Sequence, residues 1–150
     1  MEKKQEILKE LITAYWMEME TVQNYLANSF NLDGVRAEEI KKALAADIQA
    51  ELGHAQQLAG RIRVLGGSVP GSASFKASQT SLQPPSDSRN VVQVIKGVID
   101  AENCAIEQYK KIIRLCEGED YPTQDLCISL LGNEEDHRRE FQGFLAEYER

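Results

Sequence analysis

Apolar positions recur at steps of three and four through four long segments, a period that predicts four amphipathic helices. In the first, expected over residues 2–30, Leu8, Leu11, Tyr15, Glu18, Val22, Tyr25 and Ser29 fall on one face. The second, over 35–65, aligns Ile40, Leu44, Asp47/Ile48, Glu51, His54/Ala55, Leu58, Ile62 and Leu65. The third, over 89–117, aligns Ile95, Val98, Glu102, Ala105, Tyr109, Ile112 and Cys116. The fourth, over 123–148, aligns Cys127, Leu130/Leu131, Glu134, His137, Phe141, Phe144/Leu145 and Tyr148. Asn31-Leu32-Asp33-Gly34 reads as a turn, and Gly118-Glu119-Asp120-Tyr121-Pro122 as a break. Connections this short make antiparallel neighbours, so the chain reads as two helix hairpins.

Residues 66–88 interrupt the pattern. These 23 residues hold seven Ser, three Gly and three Pro, including Pro84-Pro85, and cannot sustain a helix. A flexible linker between two domains is the weaker reading, because a lone hairpin buries too little to stand alone. The stronger reading is a crossover. A helix of about 28 residues is about 42 Å long, and 23 extended residues at about 3.3 Å each can return along it. The expected architecture is all-α: one domain over 1–150, a four-helix bundle of two antiparallel hairpins, with the third helix parallel to the second.

Acidic residues intrude on these apolar stripes in a repeated way. Glu18 precedes Tyr25 by seven, and Glu102 precedes Tyr109 by seven. Glu51-x-x-His54 is matched by Glu134-x-x-His137, and these are the chain's two histidines. Residues at i and i+3 share a helix face, so each ExxH aims a carboxylate and an imidazole at one point. About one residue in nine is Glu, so two such pairs arise by accident about once in a hundred. Four buried carboxylates, with no Lys or Arg on the same stripes, call for a multivalent cation. Mixed oxygen and imidazole donors suit iron or manganese, and zinc less well. The candidate metal ligands are therefore Glu18, Glu51, His54, Glu102, Glu134 and His137. Tyr25, two turns beyond Glu18, is the candidate catalytic residue, as a hydrogen-bond or electron donor. Tyr109 is more readily explained by packing. Trp16, off the main stripe, is expected between subunits or at a helix crossing.

Composition sharpens this. A hydrophobic share of 42% and a charged share of 27% fit a globular protein. The formal net charge of −7 weighs against nucleic acid and favours cations; Lys3, Lys4 and Lys9 offer little to a phosphate backbone. No apolar run approaches the roughly 20 residues needed to span a bilayer. The first residues run into a helical pattern with no secretory signal core. Three cysteines without a CxxC pair fit a reducing cytoplasm.

With Glu18…Tyr25, Glu51-Leu52-Gly53-His54, Glu102 and Glu134-Glu135-Asp136-His137, the chain resembles the ferritin-like di-iron superfamily, and bacterioferritins most. The resemblance implies a ferritin-like four-helix bundle and a ferroxidase oxidising Fe(II) with oxygen or hydrogen peroxide. It implies two iron ions, with Glu51 and Glu134 bridging and Glu18 and Glu102 terminal. Bacterioferritins bind haem through a methionine after the first ExxH glutamate; Leu52 stands there, so no haem is expected. They also carry a short fifth helix, whereas this sequence stops 13 residues after His137. In that it resembles the Dps-like mini-ferritins, which implies a homo-oligomer, most simply a dodecamer, for iron storage and oxidative-stress protection. Some Dps-like proteins carry a cysteine pair near the centre, which would be Cys104 with Cys127, although helix levels bring Cys116 nearer to Cys127. The alternatives are a non-storing di-metal oxidoreductase, peroxidase or manganese catalase-like, and a DNA-binding Dps-type protein.

Overall fold

A computed structural model describes residues 2–149, so the first and last residues of the domain expected over 1–150 lie outside the described residues. It contains four long helices: α1 (Lys3–Asn31), α2 (Glu38–Val64), α3 (Val91–Cys116) and α4 (Tyr121–Tyr148). Single 3-10 turns occupy Val35–Ala37 and Ser72–Ser74. The helices pack chiefly as the hairpins α1–α2 and α3–α4, and the hairpins meet through α1 with α3 and α2 with α4.

Contacts between helices fix their directions. Arg61, late in α2, bonds Asp120 and Thr123 at the start of α4, while Glu51 meets His137 further along. Gln124, early in α4, bonds the Ile113 carbonyl, and Arg138 bonds Asn103. Both α2 and α3 therefore run antiparallel to α4, and α3 is parallel to α2. The 65–90 segment is thus the crossover that the Ser- and Pro-rich stretch predicted.

Three helix boundaries differ by more than one residue from those expected from periodicity. Residues 35–37 form a 3-10 turn, and α2 proper begins at Glu38. Asn90 caps α3, accepting the Gln93 N–H, so the helix starts at Val91 and not at 89. The third runs the other way, with α4 starting earlier than expected, at Tyr121. Gly118-Glu119-Asp120-Tyr121-Pro122 is a break only as far as Asp120. Gly118 takes the left-handed backbone at φ 73°, and Asp120 then accepts the Thr123 N–H as a helix cap. Pro122 sits in the first turn, where its missing N–H costs nothing.

The crossover is held closely to the bundle. Glu20 is buried and accepts from the backbone N–H groups of Ser78 and Gln79 and from the Ser78 hydroxyl. Leu82 is fully buried, and its carbonyl accepts from Asn28. A Cβ on Gly97 of α3 would lie 2.4 Å from the Ser81 carbonyl oxygen, so this close approach requires glycine. Trp16 lies against this segment, its ring 4.8 Å from Phe75. Its partner is the crossover, a packing role that the helix pattern does not reveal.

Candidate metal centre

The core falls into two apolar clusters along the bundle. One contains Leu11, Ala14, Leu58, Ile62, Tyr109, Ile112, Cys116, Cys127 and Leu130. The other contains Tyr25, Ile40, Leu44, Ile95, Val98 and Phe141. On every helix the candidate ligands lie between the stretches that feed these clusters: Glu18 on α1, Glu51 and His54 on α2, Glu102 on α3, Glu134 and His137 on α4. Helical period turns them inward, and the clusters on either side keep water out. Glu18, Glu51, His54, Glu102 and Glu134 are buried, and the His137 side chain retains 16% of its surface.

These six side chains are brought together as two interlocked groups. Glu18, Glu51, His54 and Glu134 each offer a donor atom within 4.8 Å of the others, and so do Glu51, Glu102, Glu134 and His137. Glu51 and Glu134 belong to both. His54 Nδ1 lies 2.8 Å from Glu134 Oε1, 3.1 Å from Glu18 Oε2 and 3.6 Å from Glu51 Oε2. His137 Nδ1 lies 3.0 Å from Glu51 Oε1 and 4.0 Å from Glu102 Oε1. The two rings are nearly parallel, with centroids 6.3 Å apart.

Hydrogen bonding leaves this cluster under-satisfied. Among the described residues, Glu51 Oε2 and Glu102 Oε2 have no hydrogen-bond partner, and Glu134 Oε1 lies close to His54 but outside hydrogen-bond geometry. Buried groups in such a state are costly. A donor set of four carboxylates and two imidazoles, with lone pairs left over, fits two divalent cations.

The electrostatics agree. Burial, then the neighbouring Glu51 and Glu134 charges, raise the Glu18 carboxyl well above its usual range. Burial and Glu134 do the same for Glu102. Burial also opposes charge on Glu51, but the adjoining Glu18, His137 and His54 side chains outweigh it and hold Glu51 below the usual carboxylate range. Burial lowers His54, yet the carboxylates of Glu134, Glu18 and Glu51 that crowd its ring prevail and push it up to about 12. His137 reaches about 9 against the same burial, raised first by Glu51. Without a metal, protons therefore supply the positive charge that the acids need.

The surrounding residues are less uniform. Tyr25 is buried and donates to Glu102 Oε1 at 2.6 Å, across the bundle from its own helix. Tyr109, its counterpart in the repeat, is equally buried, but its hydroxyl has no partner among the described residues. Cys116 and Cys127 are buried in one cluster. Burial, then Cys116, push the Cys127 thiol up to about 12, away from reactive thiolate. Cys104 is exposed, so the pairing of Cys104 with Cys127 finds no support in the fold. Asp47 was visible in the sequence only as one stripe position among many. In the fold it is buried, with Oδ1 3.7 Å from His137 Nε2. Its place one turn before Glu51 was the available signal.

A four-helix bundle with this repeated carboxylate and imidazole centre defines a ferritin-like carboxylate protein. The chain matches the ferritin-like domain family over residues 6–150 and belongs to it. The DNA protection during starvation protein of Pyrococcus furiosus is 27% identical over 144 residues, covering 95% of this chain and 78% of the relative. A ferritin-like, diiron-carboxylate protein from Bacillus anthracis has the same fold, with a TM-score of 0.85 at 18% identity over 97% of this chain and 99% of that one. So does the dodecameric thioferritin, a bacterioferritin-related protein, of Bacteroides fragilis, with a TM-score of 0.84 at 22% identity over 98% and 88%. Among the described residues, no helix is long and apolar enough to cross a membrane.

Proposed function

We propose that the chain works as one ferritin-like domain that oxidises Fe(II), and that Glu18, Glu51, His54, Glu102, Glu134 and His137 bind the iron. The observation that carries this is the pair of interlocked donor groups sharing Glu51 and Glu134. Iron is the substrate. Each group takes one Fe(II), with Glu51 and Glu134 bridging, Glu18 and His54 closing one side, and Glu102 and His137 the other. With peroxide, two Fe(II), one H2O2 and two protons give two Fe(III) and two waters; oxygen is the alternative oxidant. Tyr25 donates its hydroxyl hydrogen to Glu102 Oε1 and would hold that terminal carboxylate in its binding position during oxidation.

Storage follows from assembly. The Bacteroides fragilis relative in fold is described as dodecameric, and a dodecamer of this chain would enclose the ferric product, protecting a cytoplasmic compartment from peroxide chemistry. The donor set also accepts manganese or zinc, so a small, non-storing oxidoreductase is the competing reading. The net charge of −7 opposes a DNA-binding role.

Aerobic and peroxide-driven Fe(II) oxidation, followed by absorbance, tests the centre. Glu51→Ala and Glu134→Ala should each abolish the fast phase, because each removes a ligand from both groups. Tyr25→Phe should keep iron binding but slow oxidation. Wild-type rates in both alanine variants would exclude the proposed centre.

A further inference from the structure

Each histidine of the centre has a second ring nitrogen turned away from the carboxylates, and the two meet different groups. His54 Nε2 lies 3.4 Å from the side-chain amide of Asn133. His137 Nε2 lies 3.7 Å from Asp47 Oδ1. Asp47 stands on α2 one turn before Glu51 and is only 9% exposed. Its other oxygen has no hydrogen-bond partner among the described residues. A carboxylate so placed is destabilising unless it is paired, and the nearest ring to it belongs to the centre.

We propose that Asp47 is a positioning residue for His137: it accepts the hydrogen on Nε2 and so fixes Nδ1 as the nitrogen presented to Glu51, Glu102 and Glu134. The inference rests on the di-metal reading above. A ring nitrogen that binds a metal must be free of its proton, so the hydrogen sits on the other nitrogen. An acceptor there locks the tautomer and the ring angle, and a carboxylate also makes the metal-facing nitrogen more basic. The 3.7 Å separation exceeds a hydrogen bond of about 3 Å, and its closure on metal binding is part of the proposal. His137 has room for that movement, with 16% of its side chain exposed against 4% for His54.

The two halves of the centre are therefore unequal. The His54 half is held by burial and a neutral amide. The His137 half depends on a charged carboxylate outside the ligand set.

Co(II) titration of the full-length protein, read by visible absorption and calorimetry, tests this. The wild type should take up two Co(II) per chain. Asp47→Ala should weaken one ion by about 10- to 100-fold and leave the other unchanged. Asp47→Asn keeps an acceptor oxygen of the same shape and should lose less. In a His137→Ala background, Asp47→Ala should cost nothing more; in a His54→Ala background it should repeat its full effect. A purely structural role would weaken both ions alike. Equal weakening of both ions, no weakening, or an added loss in the His137→Ala background would overturn the proposal. If Asp47→Ala does not fold, as judged by circular dichroism, the isosteric Asn variant carries the same comparison. Fewer than two Co(II) per wild-type chain would sink the di-metal reading itself, and Asp47 with it.

Discussion

His54 Nδ1 is approached by three carboxylates, although a ring nitrogen carries a single hydrogen. One proton cannot serve three acceptors, and a divalent cation can. The charged state of the metal-free centre follows from this. His54, pushed up to about 12, and His137, at about 9, both hold a proton at neutral pH. Their contribution to the stability of the metal-free fold is full below the unfolded value of about 6.5 and fades as pH rises through about 9 for His137 and about 12 for His54. A metal competes for the same nitrogens, and also for the raised carboxyls of Glu18 and Glu102. Loading must therefore expel protons. In weakly buffered solution, Zn(II) should acidify the medium as it binds, and its affinity should rise with pH between about 6 and 8. Binding without proton release, read with a pH indicator, would contradict a metal-free centre in which both rings are charged at neutral pH. The six acids and imidazoles at the heart of this were legible in the sequence because burial selects one face of each helix, and charged residues on that face stand out. Asp47 was not, because its meaning depends on where a ring on another helix points its second nitrogen. Glu20 was missed for a related reason: it faces the crossover, and a coil segment has no period from which its contact could be read.

At the scale of elements, periodicity located all four helices and the crossover, while the boundaries depended on capping chemistry. The start of α4 shows why. A stretch containing Gly and Pro looks like a break, yet Asp120 converts its second half into a helix start. Its Oδ1 accepts the Thr123 N–H and an Arg61 hydrogen, and its Oδ2 accepts the Thr123 hydroxyl. The same side chain thus caps α4 and ties it to the end of α2. Burial raises the Asp120 carboxyl, but the bonds from Thr123 and the Arg61 charge outweigh it, and the net shift is downward. A lowered carboxyl stabilises the fold above its unfolded value of about 3.9, and that contribution is lost as pH falls through the folded value. Asp120→Ala should destabilise by about 1 to 2 kcal/mol at neutral pH through the lost cap. The difference from wild type should begin to shrink as pH falls below about 4, where the unfolded carboxyl takes up a proton that the folded one resists. Urea denaturation at pH 7 and pH 3.5 measures both; an unchanged difference between them would assign Asp120 a role in packing alone.

The whole molecule carries its apolar surplus at particular places on its surface. Leu26 and Phe30 lie one turn apart on α1, 48% and 79% exposed, and Val35 just beyond the helix is 91% exposed. Single exposed apolar residues are ordinary, but several lie grouped here at one end of a helix, and we propose that they form the contact between subunits. The centre itself needs no neighbour, since all six proposed ligands come from one chain. On the proposed function, assembly and oxidation are therefore expected to be separable, and Phe30 is where to test it. Twelve chains of 16.8 kDa make about 200 kDa, and twenty-four about 400 kDa. Phe30→Glu would place a charge in the proposed contact, and like charges meeting across a symmetric interface repel. Light scattering should then report a species well below the wild-type mass, with helical circular dichroism retained. The initial rate of Fe(II) oxidation per chain should stay within about twofold of wild type, because nothing near the six ligands has changed. What should be lost is containment: without a shell, the ferric product should precipitate and scatter light, where the wild type keeps it in solution. A variant that assembles normally would move the contact elsewhere on the surface. A wild type that is itself a monomer or dimer would end the storage reading and leave the centre to a non-storing oxidoreductase.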